Sequence, residues 1–209
     1  LVAKTVLVIG ATGDVGKGIV NAALEQEWSV VACARDLSKL ERWADTPGVS
    51  ILAGDLLAPG GADAVREALP AIDAVVVAVN APNRVQPLAE WRSDDLSEVF
   101  TANVLSHLKA VQTFLPALRD DGVFVGIGGG TADFIIPGMS QLSMSQAALR
   151  MMYKGLAKES VHPAALRELI IVSMVNGESK REKAKPEWVT DIEVGRHVCA
   201  IIKDPDAFP

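Results

Sequence analysis

The chain contains one tyrosine and two cysteines in 209 residues. Chemistry that depends on a phenol therefore has a single place to reside, Tyr153. Cys33 lies in an apolar run and Cys199 in a helical pattern, and neither belongs to a CxxC pair or has metal-type neighbours. Two buried, reduced thiols are expected rather than a disulfide or a metal site, as in a cytoplasmic protein. No apolar run approaches ~20 residues, so no membrane span is expected. The first residues run into a strand pattern, without the shape of a signal peptide. Positive charge is short as well, with 20 Lys and Arg against 26 Asp and Glu. The one basic cluster, Lys180 to Lys185, is broken by Glu182 and reads as a solvated loop. A nucleic-acid surface needs clustered positive charge and is not expected.

What remains is an ordered globular composition, 49% hydrophobic and 22% charged. The length suits one domain spanning residues 1–209. Apolar runs rich in Val, Ile and Ala predict strands at Thr5–Ile9, Ser29–Ala34, Val49–Ala53, Ala74–Val79, Gly122–Ile127 and Leu169–Val175. Helical spacing lies between them, at Asp14–Glu27, Leu37–Trp43, Ala62–Leu69, a long helix at Ser93–Leu118, another at Gly138–Glu159, and Asp191–Lys203. Strands apolar on both faces are buried on both faces and need helices on either side. Regular alternation then implies an α/β fold, a three-layer, doubly wound parallel sheet of the Rossmann type. Ligands of such sheets sit at the carboxyl ends of the strands, so the residues following each strand carry the functional reading.

Strand one runs into Gly10-Ala11-Thr12-Gly13-Asp14-Val15-Gly16, with Gly18 two residues on. A tight strand-to-helix turn needs glycine backbone freedom. The first amides of the helix then face an anion, and the helix dipole favours it. Glycines at this spacing say little alone, but here they follow a strand and open a helix in a βαβ unit. A diphosphate is expected against Gly10, Thr12, Gly13, Asp14, Val15 and Gly16, with the Asp14 carboxylate turned away as a helix cap. Strand two ends at Arg35, where an NAD site would place a carboxylate for the ribose 2′-hydroxyl. An arginine there suits a 2′-phosphate, which favours NADP(H) and leaves NAD(H) as the alternative. Asp36 would oppose that phosphate if it turned inward. Asp55 and Leu56 follow strand three, placed to meet the adenine amino group and the base. Asn80 and Ala81 follow strand four, where small residues leave room for a ribose.

Together these motifs resemble the short-chain dehydrogenase/reductase family over nearly the whole chain. Asn103 to Leu118, with its Leu115-Pro116, is similar to that family's fourth helix, Asp55-Leu56 to its adenine-binding Asp, and Asn80-Ala81 to the middle of its Asn-Asn-Ala-Gly motif. The resemblance implies a dinucleotide-dependent oxidoreductase acting on a small molecule. It also implies a Tyr-x-x-x-Lys pair with a Ser about 13 residues before it. A lysine one helical turn from a tyrosine favours the phenolate and lets it trade a proton near neutral pH. At those positions stand Leu142, Gln146 and Gly129. Tyr153 cannot substitute: it lies 11 residues past Leu142, roughly 16 Å along a helix, and Ala157, not lysine, follows one turn on. Asn103 keeps the position of the family's relay asparagine, either as a remnant of catalysis or as a helix-bending polar residue. The resemblance places Gly177 beside the nicotinamide and Ser179 against a phosphate.

None of His107, His162 and His197 falls at a strand tip, so all three are expected in surface or packing roles. Ser140, Ser143 and Ser145 lie near the site and could orient a carbonyl. Two functions follow. One is an oxidoreductase working without the Tyr/Lys relay. The other is a catalytically inactive NADP(H)-binding regulator or scaffold. The resemblance further implies a homo-oligomer through the helices near 93–118 and 138–159. Leu105, Leu108, Val111, Gln112, Leu115, Leu149, Met152 and Leu156 are the candidate contacts.

Overall fold

In the computed structural model, which describes residues 3–82 and 84–208, six parallel strands form one sheet in the order β3-β2-β1-β4-β5-β6. They are β1 (Thr5–Ile9), β2 (Ser29–Ala34), β3 (Val49–Ala53), β4 (Ala74–Val77), β5 (Val123–Gly129) and β6 (Ala165–Ile171). The order reverses between β1 and β4, which opens a crevice at their carboxyl ends.

Alternation along the strands builds two cores. Val6 and Val8 of β1 point into one, with α1 (Asp14–Glu25) and α7 (Asp191–Lys203). Leu7 and Ile9 point into the other, with α3 (Gly61–Glu67), α5 (Ser106–Phe114) and α6 (Ser140–Glu159). This is the expected three-layer arrangement. α1 and α7 cross almost backbone to backbone. A Cβ on Gly18 would strike the Asp191 carbonyl, and one on Gly195 would strike that of Gly18. Gly18 therefore belongs to helix packing and not to the turn. Cys33 and Cys199 are both buried and unbridged, and burial pushes each thiol up to about 12.

Two elements differ from expectation. The long helix at 93–118 is two α-helices, α4 (Ser93–Phe100) and α5, joined by a π-helical turn at Thr101–Leu105. Asn103 in that turn is fully buried. Its side-chain oxygen accepts from the Ala81 amide, and its amide nitrogen donates to Ser145 Oγ at 2.8 Å. Pulling one side chain inward across to a strand tip admits the extra residue of a π turn. The sixth strand lies at Ala165–Ile171, four residues earlier than its apolar run suggested. β6 is an edge strand with one neighbour, so it tolerates Arg167 and Glu168, which masked it. Beyond it, β7 (Val175–Asn176) and β8 (Val189–Thr190) pair as a short separate ribbon. The short helix at 37–43 is α2 (Leu37–Leu40) followed by a 3-10 turn.

Candidate functional site

A cleft of roughly 670 Å³ opens over the carboxyl ends of the strands, at the crossover. Of the residues expected to meet a dinucleotide, Gly10, Thr12, Gly13, Asp14, Val15, Arg35, Asp55, Leu56 and Asn80 line it. Gly16, Ala81 and Gly177 do not, and each is occupied in the fold. Gly16 lies under the turn, where a Cβ would strike the Gly10 carbonyl. Ala81 is buried, with its amide on Asn103. Gly177 presses on the Asp14 side chain.

The three glycines of the turn are not equivalent. Gly10 has φ +88°, and a Cβ there would come within 2.6 Å of the Ala78 carbonyl oxygen. The fold demands glycine at 10 and 16. Gly13 is the N-cap of α1 with φ −78° and ψ 166°, extended backbone that any residue adopts. A Cβ on Gly13 would meet only the Gly10 oxygen, at 3.6 Å, an ordinary contact. Neither conformation nor packing explains glycine at 13. The space beside it opens into the cleft, at the positive end of a helix. The residues present therefore fit a diphosphate.

Asp14 is turned aside, but it does not cap α1 as expected: Gly13 holds the N-cap position without a side-chain bond, and the Asp14 carboxylate meets Ser179 instead. Its carboxylate accepts from the Ser179 amide at 3.0 Å and from the Ser179 hydroxyl, and lies 3.4 Å from Lys180 Nζ. Burial alone would raise its pKa, but the Ser179 hydrogen bonds and the Lys180 charge outweigh this and hold it below the usual carboxylate range. Glu178 ties the same segment to α1 and α2's end, pairing with Lys17 at 3.0 Å and Arg42 at 2.8 Å. Lys17 and Lys180 both line the cleft, a role the sequence reading missed. The signal for Lys17 was its place one helical turn after Gly13. For Lys180 there was none, because its partner is distant in sequence. Asp36 is also turned away. It caps α2, accepting from the Ser38 amide at 3.0 Å and from the Ser38 hydroxyl, and these bonds lower its pKa.

At the other end of the cleft, Gly129, Leu142 and Gln146 line the wall. Gln146 Oε1 accepts the Gly129 N–H at 2.7 Å. Nothing in this trio exchanges a proton near neutral pH. Tyr153 is buried elsewhere, its ring over Gly126, where no Cβ would fit. Its hydroxyl is 2.9 Å from His107 Nδ1, and His107 Nε2 is 3.1 Å from the Val79 carbonyl. A carbonyl only accepts, so Nε2 carries the proton and the tyrosine donates to Nδ1. Burial drives His107 down to about 4 and Tyr153 well above its usual value, so both are neutral. His107 is a packing residue, as expected. Neither His162 nor His197 lines the cleft.

The serines of α6 correct an expectation. Ser143 donates to the Phe134 carbonyl at 2.8 Å, and Ser145 to that of Leu142 at 3.0 Å. Neither they nor Ser140 line the cleft, so they do not orient a substrate there. Asn103, held by Ala81 and Ser145, likewise stands outside it. Thr131, which the sequence reading passed over, does line it. Among the described residues no cluster of His, Cys, Asp and Glu could hold a metal ion, and no helix is long and apolar enough to cross a membrane.

Comparison with known proteins supports the same architecture. No curated protein matches the chain. Among solved structures, a short-chain dehydrogenase from Streptomyces avermitilis superposes with a TM-score of 0.84 at 20% identity, over 100% of this chain and 87% of that one. An NADPH-bound short chain oxidoreductase from Pseudomonas aeruginosa PAO1, described as containing an atypical catalytic center, gives 0.82 at 22%, over 99% and 92%. A serine dehydrogenase complexed with NADP+ gives 0.83 at 18%, over 94% and 88%. At these identities the likeness is one of fold. The short chain dehydrogenase family model, however, matches residues 4–176, most of the sequence, and the chain belongs to the short-chain dehydrogenase family.

Proposed function

We propose that this chain binds NADP(H) along the cleft and acts as an oxidoreductase on a small molecule without a Tyr/Lys proton relay. Gly13 carries the reading. It is bare where the fold has no use for bareness, which is what a diphosphate at the helix terminus would require. Gly10, Thr12, Gly13 and Val15 would hold the diphosphate, with Lys17, Ser179 and Lys180 approaching from the sides. Arg35 would take the 2′-phosphate. The capping role of Asp36 removes the nearest opposing carboxylate and favours NADP(H) over NAD(H). Asp55 and Leu56 would meet the adenine, and Asn80 the ribose. Ala81, Gly16 and Gly177 would support the site from behind.

Bound there, a dihydronicotinamide supplies a hydride. The chain's own part is to place the acceptor and leave protonation to solvent. Losing a general acid costs roughly 10²–10⁴ in rate, so catalysis would be slow and confined to undemanding acceptors. The hydrogen bond between Gln146 and Gly129 favours a second reading, in which the relay position is closed and the protein is an inactive NADP(H)-binding regulator or scaffold. Pairing of two copies is a further expectation. Leu105 and Met151 are 47% and 67% exposed and could serve it, whereas Val111, Leu115 and Leu149 are already buried in the chain's own core.

Titration of NADPH and NADH by fluorescence tests the shared premise, with NADPH expected to bind more tightly. Cofactor oxidation is then followed against aldehydes, ketones and conjugated carbonyls. Turnover of any class supports the enzyme. Tight NADPH binding with no turnover across the panel supports the regulator.

A further inference from the structure

The cleft contains two neutral groups whose hydrogen-bonding capacity is not used by the fold. Gln146 is 6% exposed, and its Oε1 is committed to the Gly129 N–H. An amide hydrogen can be accepted only by the oxygen, so this bond fixes which end of the side chain is which. The Nε2 group is left over, and among the described residues it has no partner. Thr131 Oγ1 is sheltered from solvent and has no hydrogen-bond partner, although its residue lines the cleft. A buried hydroxyl without a partner has given up its hydrogen bonds to water and gained none in return. Rotation of the Thr131 side chain toward the cleft that its residue lines offers this hydroxyl to an outside group.

Both groups are held firmly. The turn Gly130–Asp133 that carries Thr131 is packed against the end of β6, since Gly130 has Val172 Cα where a Cβ would be. Three bonds tie this stretch to α6: Gly129 to Gln146, Ser143 to the Phe134 carbonyl, and Arg150 to Asp133. The carboxylates nearby are spoken for. Asp133 pairs with Arg150, and Glu168, behind Gly128, is kept toward its neutral form by burial and is faced by Arg150 and Lys154. Fixed neutral donors in a sheltered cleft stabilise a developing oxyanion without giving it a proton.

We propose that Gln146 Nε2 and the Thr131 hydroxyl form a donor pair for the oxygen of a conjugated carbonyl substrate. The inference rests on the dinucleotide reading above. A simple ketone that accepts hydride becomes an alkoxide, too strong a base to leave without a proton donor. A conjugated carbonyl that accepts hydride at its β-carbon breaks its C=C bond and carries the electron pair to oxygen as an enolate, a much weaker base. The two donors hold that oxygen, and a proton from water at the α-carbon completes the saturated carbonyl. The reductant is the dihydronicotinamide, which leaves as the oxidised form.

A phenolate mimics the enolate and has its own absorbance. The test titrates p-nitrophenol with the NADP+-loaded protein, at a pH below the phenol's solution pKa. The phenolate band is expected to grow and saturate. Gln146→Glu keeps the acceptor for the Gly129 N–H but puts a charge in place of the donor, and is expected to abolish the band. Thr131→Val keeps the shape and is expected to weaken binding about tenfold, the loss of one hydrogen bond to a charged group. NADP+ affinity should be the same in all three proteins. NADP+ binding without a phenolate band, or a band that Gln146→Glu leaves intact, overturns the donor pair while the dinucleotide reading stands. Absence of NADP+ binding overturns both.

Discussion

At the β1–α1 end of the cleft the backbone is left bare, whereas at the β5–α6 end side chains have closed on one another. Gly13 faces open space, and the cations Lys17, Arg35 and Lys180 stand around the cleft. Across from them, Gln146 is bonded to the Gly129 backbone, and Leu142 lines the same wall. One end has the features of an anion site, and the other offers only neutral contacts. On the proposed reading, binding and chemistry rest on different strand tips of one crevice and are separable.

The largest effect should come from the glycines themselves. Gly16→Ala forces a Cβ into the Gly10 carbonyl, so its stability loss should lie at or above the roughly 1–3 kcal/mol that overpacking costs. Gly13→Ala should cost less, about the 1 kcal/mol by which alanine is the poorer helix N-cap. Equal losses for the two would break the distinction between a structural glycine and a functional one.

Below the β5–α6 end, the buried pair His107 and Tyr153 is structural, and pH reveals it. The His107 pKa is depressed to about 4 from 6.5, so between those values the unfolded chain binds more protons than the folded one. Stability from this site is complete above about 6.5 and is lost as pH falls toward 4, up to on the order of 3 kcal/mol. Denaturant unfolding across that range should show the slope, and His107→Gln should flatten it. An unchanged slope in the variant would place the acid sensitivity elsewhere.

Much of this was readable in advance. β1, β2, β3 and α7 fall where the apolar runs and helical spacing placed them. The glycine turn, Arg35 and Asp55 were found because each follows its strand directly. The rest depended on contacts distant in sequence. Asn103 makes its π turn through Ala81 and Ser145, and Asp14 meets a serine 165 residues away. β6 was placed four residues late because an edge strand need not be uniformly apolar. Thr131 drew no notice, since a threonine after three glycines looks like any loop residue.

Restoring the missing trio probes the chemical end. Gly129 has φ −117° and ψ 142°, which serine accepts, and a Cβ there would sit 3.4 Å from Gln146. Gly129→Ser with Leu142→Tyr and Gln146→Lys should raise NADPH-dependent reduction of simple carbonyls by about 10²-fold, the low end of general acid catalysis. No gain would mean that the cleft places a carbonyl elsewhere. A smaller effect is expected at Asp14, whose carboxylate is turned toward Ser179 while its residue lines the cleft. Asp14→Asn should tighten NADPH binding several-fold, the scale of a charge interaction in a partly exposed site. Weaker binding would show that the Asp14 bond to Ser179 builds the site.

The most direct measurement is NADPH binding by Gly13→Asp beside the parent, with thermal melting of both cofactor-free proteins. The extra carboxylate should cost the fold little and abolish NADPH binding. A variant that melts like the parent and still binds NADPH as tightly would show that the space beside residue 13 holds no phosphate.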